Sequence, residues 1–211
     1  MSKIDKNLES KYSAHEIKIL KKLDSPKKIQ DFLNRLKFNF EKSGQTCMSP
    51  RRVLREKKAH CMEGAMLAAA ALEFHGHEPL LVDLRAAKHD HDHVIAVFRQ
   101  FSCFGAIGKT NHAVLRFREP VYKTIRELVL SYFHEYFDDQ GRKNLREYSL
   151  PVNLSRFNKL NWRTTEEELW DIPYALDKSG HYQILSKRQI KNLRLADQVE
   201  IRAGKITEWR R

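Results

Sequence analysis

Cys61 is the first residue of a run, CMEGAMLAAAALEF, in which most residues favour helices. Gly76 is placed to end that helix, so the thiol is predicted to lie in the first turn. A thiol is a strong nucleophile only as the thiolate, and its ordinary pKa is about 8.5. Unpaired N–H groups and the helix dipole lower that pKa. The position therefore favours a cysteine nucleophile over the alternative, a small buried packing residue.

His93 is the histidine that best complements such a thiol. It opens the apolar stretch HVIAVF, a predicted strand against which the Cys61 helix is expected to pack. An imidazole beside the thiol acts first as a base and then as the acid that protonates the leaving group. Its second ring nitrogen needs an acceptor, and Asn111, eighteen residues beyond His93, is predicted to supply it. The candidate catalytic residues are therefore Cys61, His93 and Asn111.

Histidine and aspartate alternate just before the His93 strand, in the sequence HDHDH. If this segment were extended, His89, His91 and His93 would face one side, as zinc ligands could. Strand geometry alone does not close a tetrahedral site, so a solvated loop is favoured and no metal or other cofactor is expected. His60, the neighbour of Cys61, is interpreted as a side chain that turns outward rather than as a second base.

The remaining motifs are weaker indications of a functional site. The stretch FGAIGKT resembles a phosphate-binding loop, but that motif requires a glycine where Cys103 stands and a helix after the loop. A nucleotide site is therefore rejected. Cys47 and Cys103 lack the setting of Cys61 and are predicted to be packing residues. The backbone N–H of Cys61 and the side chain of Gln45 are candidate donors to an oxyanion.

Serines mark the starts of three helices that precede the Cys61 run. Ser13 opens a capping-box pattern, and Ser25 is followed by a proline suited to a first turn. Apolar residues at helical spacing continue from there to Phe40, so the first 45 residues are predicted to be a helical hairpin. Ser49, also followed by proline, opens another short helix.

Strands and further helices are predicted after Gly76. The expected strands are residues 79–84, 93–98 and 104–108, with a hairpin turn at 100–103. The expected helices are an amphipathic helix from Val121 to Tyr136, a short acidic helix at residues 166–170 and a basic final helix from about Ser186. This order predicts an α+β fold.

One domain of 211 residues accommodates all of these elements, and 41% of the residues are hydrophobic, enough for a substantial core. Within it we expect a helical N-terminal extension at residues 1–45, a core at 46–140 and a C-terminal extension at 141–211. The C-terminal extension carries the basic helix.

The net charge is +12, from 39 Lys and Arg against 27 Asp and Glu, and it is spread along the chain. A solvated basic surface is the ordinary interpretation, although the charge also suits an acidic protein or nucleic acid partner. No run of about eighteen apolar residues and no secretory leader is recognisable, and the three cysteines form no CxxC pair. These features predict a cytoplasmic protein without a membrane span.

The stretch SPRRVLREKKAHCMEGAMLAAAALEFHGHEPLLVDL, followed by DHVIAVF, resembles the transglutaminase-like superfamily. The resemblance implies a papain-like core, in which the cysteine helix packs on an antiparallel sheet, and a Cys-His-Asp site for cleavage of peptides or transfer of acyl groups. Cys61 and His93 match that pattern. Gly108 stands where the aspartate is expected, so Asn111 is the candidate substitute, and Ile95 stands where an aromatic residue is usual.

Two classes of function remain open at this point. The first is a cysteine-dependent hydrolase or acyl transferase that acts on a peptide or amide substrate. The second is a non-catalytic module that keeps the fold and binds an acidic protein or nucleic acid through its basic surface. The pairing of Cys61 with His93 favours the first class, and the lack of the expected aspartate favours the second.

Overall fold

The computed structural model describes residues 6–210 of the chain. Within them lie nine α-helices: α1 (Lys6–Glu9), α2 (Ala14–Lys22), α3 (Pro26–Arg35), α4 (Pro50–Glu56), α5 (Cys61–Phe74), α6 (Ile125–Leu130), α7 (Asp171–Lys178), α8 (Lys187–Lys191) and α9 (Gln198–Gly204). The same residues form nine strands: β1 (Lys37–Phe38), β2 (Lys58–Ala59), β3 (Leu80–Ala86), β4 (His93–Gln100), β5 (Cys103–Ile107), β6 (Arg118–Tyr122), β7 (Leu145–Ser149), β8 (Val152–Asn153) and β9 (His181–Gln183). Short 3₁₀ helices span Phe133–Glu135 and Leu154–Leu160. The predicted α+β class is confirmed.

An antiparallel sheet of seven strands organises the described residues. The strand order is β6-β5-β4-β3-β7-β9, and β8 also pairs with β3. The three predicted strands are confirmed as β3, β4 and β5. The predicted hairpin turn between β4 and β5 is confirmed too, and it holds Phe101 and Ser102 at positive φ. Leu84 lies opposite His93, so His93 occupies one end of the central strand pair.

Helix α5 packs on one face of this sheet. Apart from Cys61 and Glu73, all its residues are buried, and its small side chains share a core with Val94, Ala96 and Phe98 of β4. Small side chains allow a helix to approach a sheet closely, at the packing density of a protein interior. Helix α6 belongs to a second core on the opposite face. The sheet therefore carries α5 on one side, with the Cys61 end of the helix at the edge of the core.

The serine caps predicted for α2, α3 and α4 are confirmed. The side chains of Ser13, Ser25 and Ser49 each accept a hydrogen bond from a backbone N–H three residues later. Each cap satisfies one of the N–H groups that a helix leaves unpaired at its start. Local sequence signals of this kind therefore position the three helices before the Cys61 run.

The predicted helical hairpin is wrong in its last part, because α3 ends at Arg35. Lys37–Phe38 instead forms β1, which pairs in parallel with β2 at Lys58–Ala59. The backbone N–H of Asn39 extends this pairing by donating to the carbonyl of Ala59 at 3.1 Å. The ladder brings the residues that follow β1 alongside the residue before Cys61.

The amphipathic helix predicted from Val121 to Tyr136 is also wrong at both ends, because α6 spans only Ile125–Leu130 and a 3₁₀ helix at Phe133–Glu135 follows it. Val121 lies in β6, which pairs with β5 at the edge of the sheet. Helix α6 begins only at Ile125, after Thr124 accepts a hydrogen bond from the backbone N–H of Glu127. Pairing with the sheet therefore overrides the helical spacing of the apolar residues up to this cap.

The acidic helix predicted at residues 166–170 does not form. Glu166 and Glu168 make ion pairs with Arg55 and Arg52 of α4, so this segment is held in an irregular path. The basic helix predicted near Ser186 is confirmed at its start as α8, but it ends at Lys191 and is not the final helix, because α9 follows. Within the described residues, none of the helices has the length and apolar character needed to cross a membrane.

Candidate functional site

The thiol of Cys61 lies at the helix start that the sequence predicts. Helix α4 ends at Lys57, which adopts a left-handed conformation with φ of 55°, and β2 then leads into α5. His60 is the N-cap of α5, and its backbone N–H donates to Glu63 Oε2 at 3.0 Å. Cys61 is free and partly exposed. Its position gives a thiolate the favourable field of a helix N-terminus.

A buried carboxylate, Glu63, holds this helix start in place. Glu63 is fully buried and accepts hydrogen bonds from the hydroxyl of Thr46 at 2.7 Å and the backbone N–H of Met48 at 3.1 Å. The side-chain amide of Asn39 donates to the same carboxylate at 3.1 Å. These bonds join the segments after β1 and before α4 to the first turn of α5. The surroundings of the thiol are therefore rigidly fixed on this side.

His93 lines the same cavity as Cys61, a space of about 1020 Å³ beside the end of β4. Its side chain is buried, with 6% of its surface exposed. Burial alone raises the pKa of the Cys61 thiol, but hydrogen bonds and charges from His60 and His93 outweigh it. The net effect lowers the pKa of Cys61 to about 5. The site can therefore hold a thiolate at neutral pH.

Nε2 of His93 is buried and has no hydrogen-bond partner among residues 6–210. It lies 3.3 Å from the point where a Cβ on Gly108 would stand. Nε2 of His93 therefore faces the loop after β5 at Gly108. Gly108 is also the residue at which the transglutaminase-like resemblance expects an aspartate. The structure thus leaves the imidazole of His93 without the usual acceptor.

Asn111 does not supply that acceptor. Its side-chain amide donates to the carbonyl of Trp209 at 3.0 Å, and its side-chain oxygen accepts from the N–H of Trp209 at 2.9 Å. The cause is an antiparallel bridge between His112 and Thr207, which lays the C-terminal segment against this loop. Asn111 lines the cavity with His93, but its side-chain groups bond to this segment and the predicted orienting contact is not made.

His60 is the site residue that sequence reasoning missed, and the prediction that it turns outward is wrong. Its Nε2 lies 2.9 Å from the carbonyl of Thr46, 3.4 Å from Glu63 Oε1 and 3.8 Å from Glu41 Oε1. Burial opposes its charged form, but the hydrogen bond and charge of Cys61, followed by the charge of Glu63, raise the pKa of His60 to about 9. Two features of the sequence could have indicated that His60 turns inward: its position as the residue before the helix, and the glutamate, Glu63, three residues later.

The loop that carries the histidine-aspartate run is held by hydrogen bonds within the protein. His89 Nε2 lies 3.1 Å from Asn144 Oδ1, and the Asn144 amide donates to Asp90 Oδ2 at 3.0 Å. Asp92 Oδ1 accepts the backbone N–H of Ala86 at 2.7 Å. In the part of the chain that is described, no group of three or more His, Cys, Asp or Glu residues is arranged to hold a metal ion.

The other two cysteines are buried and free. Cys47 is buried, its thiol donates to the carbonyl of Leu169 at 3.5 Å, and burial raises its pKa above the ordinary value. Cys103 is buried at the start of β5. Gln45, the predicted second oxyanion donor, is exposed and lies outside the lining of the cavity. The chemistry of the site therefore centres on Cys61.

Lys109, from the rejected phosphate-loop motif, points into the protein. Its ammonium donates to the carbonyl of Leu36 at 2.6 Å, and burial lowers its pKa to about 8. Its Cβ packs against Gly64 in the first turn of α5, so closely that a side chain at Gly64 would clash with it. This contact seats the Cys61 end of the helix against the loop after β5.

Comparison with known proteins adds no family assignment to this geometry. The sequence matches no family model, and no curated protein matches it. The assignment of chemistry to this site therefore rests on the arrangement of Cys61, His60 and His93.

Proposed function

We propose that the protein is a cysteine-dependent amide hydrolase or acyl transferase with a papain-like, transglutaminase-like core. One observation carries the proposal: the thiol at the first turn of α5 shares a cavity with two imidazoles, His60 and His93, which lower its pKa to about 5 against the effect of burial. A cysteine that only fills space has no need of such partners, and its pKa rises with burial, as that of Cys47 does. Perturbed titration of this kind is typical of functional sites.

The reaction begins with attack of the thiolate on an amide or ester carbonyl carbon. A sulfur–carbon bond forms, negative charge moves to the carbonyl oxygen, and the backbone N–H of Cys61 is placed to donate to that oxygen. The carbon–nitrogen or carbon–oxygen bond then breaks, and an imidazolium, assigned to His93, gives its proton to the leaving group. Water or an amine then attacks the acyl carbon and gives a proton to His93, and the sulfur–carbon bond breaks, which releases the product and restores the Cys61 thiolate.

The open cavity beside Cys61 is large enough for a peptide segment. The free thiols suit a reducing compartment such as the cytoplasm, because an exposed thiolate is readily oxidised elsewhere. A peptide or amide substrate and a cytoplasmic location are accordingly part of the proposal.

The second candidate is a non-catalytic module that binds an acidic partner. It is favoured by the lack of an acceptor for Nε2 of His93, because an unheld imidazole is poorly oriented for proton transfer. The net charge of +12 would then serve binding. This candidate predicts a thiol with no turnover, which separates it from the enzyme.

The test is acylation by a small activated ester. Mixed with p-nitrophenyl acetate at pH 7, the wild-type protein should release about one equivalent of nitrophenolate in a burst, followed by steady turnover. Cys61→Ser should abolish the burst, whereas Cys47→Ser should retain it. His93→Ala should slow turnover by about 10²-fold or more. A wild-type protein without a burst, or one whose burst survives Cys61→Ser, contradicts the proposed function.

A further inference from the structure

We propose that His60 is a second functional imidazole: it is the permanent cation that holds the Cys61 thiolate, and it leaves His93 free to carry protons. This inference rests on the proposed function of Cys61. It identifies His60 as the group that stabilises the negative charge of the thiolate. His60 directly precedes Cys61 in the chain, and both residues line the same cavity.

The hydrogen bonds of His60 determine which nitrogen faces the sulfur. The carbonyl of Thr46 can only accept, so Nε2 at 2.9 Å from it must carry a hydrogen. We assign Nδ1, the other ring nitrogen, to the thiol of Cys61, which lines the same cavity. A ring that donates from both nitrogens, to a carbonyl on one side and a thiolate on the other, is an imidazolium.

Two carboxylates favour that charged form of His60. Glu63 Oε1 lies 3.4 Å from Nε2 and Glu41 Oε1 lies 3.8 Å from it. The backbone N–H of His60 also donates a hydrogen bond to the Glu63 side chain. The same carboxylate therefore both positions His60 and stabilises the charge of its ring. Opposite charges at this distance stabilise an imidazolium, most of all where burial weakens screening by water.

His93 has the opposite surroundings. Its Nε2 faces Gly108, and none of the described residues hydrogen-bonds to that nitrogen. This nitrogen is therefore not committed to a protein partner, which suits a ring that passes protons between the reacting groups. The two histidines therefore divide the work: His60 holds the thiolate, and His93 exchanges protons with the leaving group and the attacking water.

The titratable groups around the thiol come from several elements. They are His60 and Glu63 at the start of α5, Glu41 after β1, Cys47 before α4, His93 at the start of β4 and, farther away, Tyr136. Only the two histidines in this set become cations. Removing the cation at residue 60 should therefore raise the pH at which the thiolate forms, with His93 left to hold it alone.

The test is the pH profile of iodoacetamide labelling at Cys61, followed by mass spectrometry of the labelled peptide from pH 4 to 9. In the wild type, the labelling rate should rise with a midpoint at about pH 5. In His60→Gln, which keeps an amide hydrogen for the Thr46 carbonyl but cannot become a cation, the midpoint should rise by one unit or more. Labelling at pH 6 should then fall several-fold.

His89→Gln is the matched control, because His89 lines the same cavity but bonds Asn144 instead of the thiol. Its profile should coincide with that of the wild type. An unchanged midpoint in His60→Gln overturns the inference about His60 while the proposed function stands. Slow labelling of Cys61 at pH 6 in the wild type contradicts the proposed function itself.

A measurement on the unaltered protein covers the case in which His60→Gln fails to fold. NMR of the histidine ring carbons should show His60 protonated at pH 8, with a titration midpoint at about 9. Glu41→Gln should lower this midpoint, because it removes one carboxylate but keeps an oxygen for the N–H of Thr46. A His60 ring that is neutral at pH 8 in the wild type overturns the inference.

Discussion

The two sides of the Cys61 cavity are built differently. On the side of α5, His60 is surrounded by a carbonyl and two carboxylates, and the buried Glu63 bonds to four neighbouring residues. On the side of the loop after β5, Nε2 of His93 faces Gly108 without a partner among the described residues. The difference supports the proposal that His60, on the helix side, stabilises the charge at Cys61.

The largest effect on stability should follow from removing the buried carboxylate of Glu63 on the α5 side of the cavity. Glu63→Ala leaves the hydroxyl of Thr46, the N–H of Met48 and the amide of Asn39 without their buried acceptor. We expect the free energy of unfolding to fall by about 3 kcal/mol or more, since each buried group left unpaired is costly. Urea titration followed by circular dichroism measures this change.

Glu41→Ala is the natural control for Glu63→Ala, because Glu41 is only partly buried. It should lose less than half as much stability. If the two variants unfold at the same urea concentration, Glu63 does not have the organising role described for it.

An intermediate effect, on turnover, should follow from adding a carboxylate on the side of the loop after β5. Gly108→Asp places a carboxylate beside Nε2 of His93, and its Cβ would stand 3.3 Å from Nε2, which requires neighbours to yield by only a few tenths of an ångström. The new acceptor should orient the imidazole and raise its pKa. Turnover of p-nitrophenyl acetate should increase several-fold over Gly108→Ala, which has the same crowding without the charge. Equal turnover in the two variants would show that an acceptor at this position is irrelevant.

The smallest effect should follow from Asn111→Ala. Because its side chain bonds Trp209 rather than His93, the pH profile of Cys61 labelling should not change. The free energy of unfolding should fall by about 1–2 kcal/mol from the loss of two hydrogen bonds to the C-terminal segment. A shift of the labelling midpoint in Asn111→Ala would restore Asn111 as an orienting residue.

Local signals in the sequence predicted much of the frame of this site. Ser13, Ser25 and Ser49 cap their helices through neighbours three residues away, and the alanine-rich run after Cys61 consists mostly of strong helix formers. The central strands were predictable for the same reason, since their apolar stretches are bounded by turn residues. Elements that depend on nearby residues are the ones that sequence reasoning finds.

Features that depend on distant partners were not predictable. β1 forms because Lys37–Phe38 meets Lys58–Ala59, and Asn111 turns away from His93 because Trp209, 98 residues later, binds both its side-chain groups. The role of His60 depends on Thr46 and Glu41, which are brought to it by the β1–β2 ladder and by the hydrogen bonds of Glu63. Tertiary contacts of this kind override local propensity and spacing.

The central claim is that Cys61 is a thiolate at neutral pH, and direct titration of the thiolate tests it most simply. Thiolate absorbance at 240 nm should be recorded from pH 3.5 to 9 for the wild type and for Cys61→Ser, and the two curves subtracted. We expect the difference curve to rise once, with a midpoint at about pH 5, because the imidazoles hold the anion until acid protonates it. A difference curve that rises only near pH 8.5, the range of an ordinary thiol, would contradict the claim.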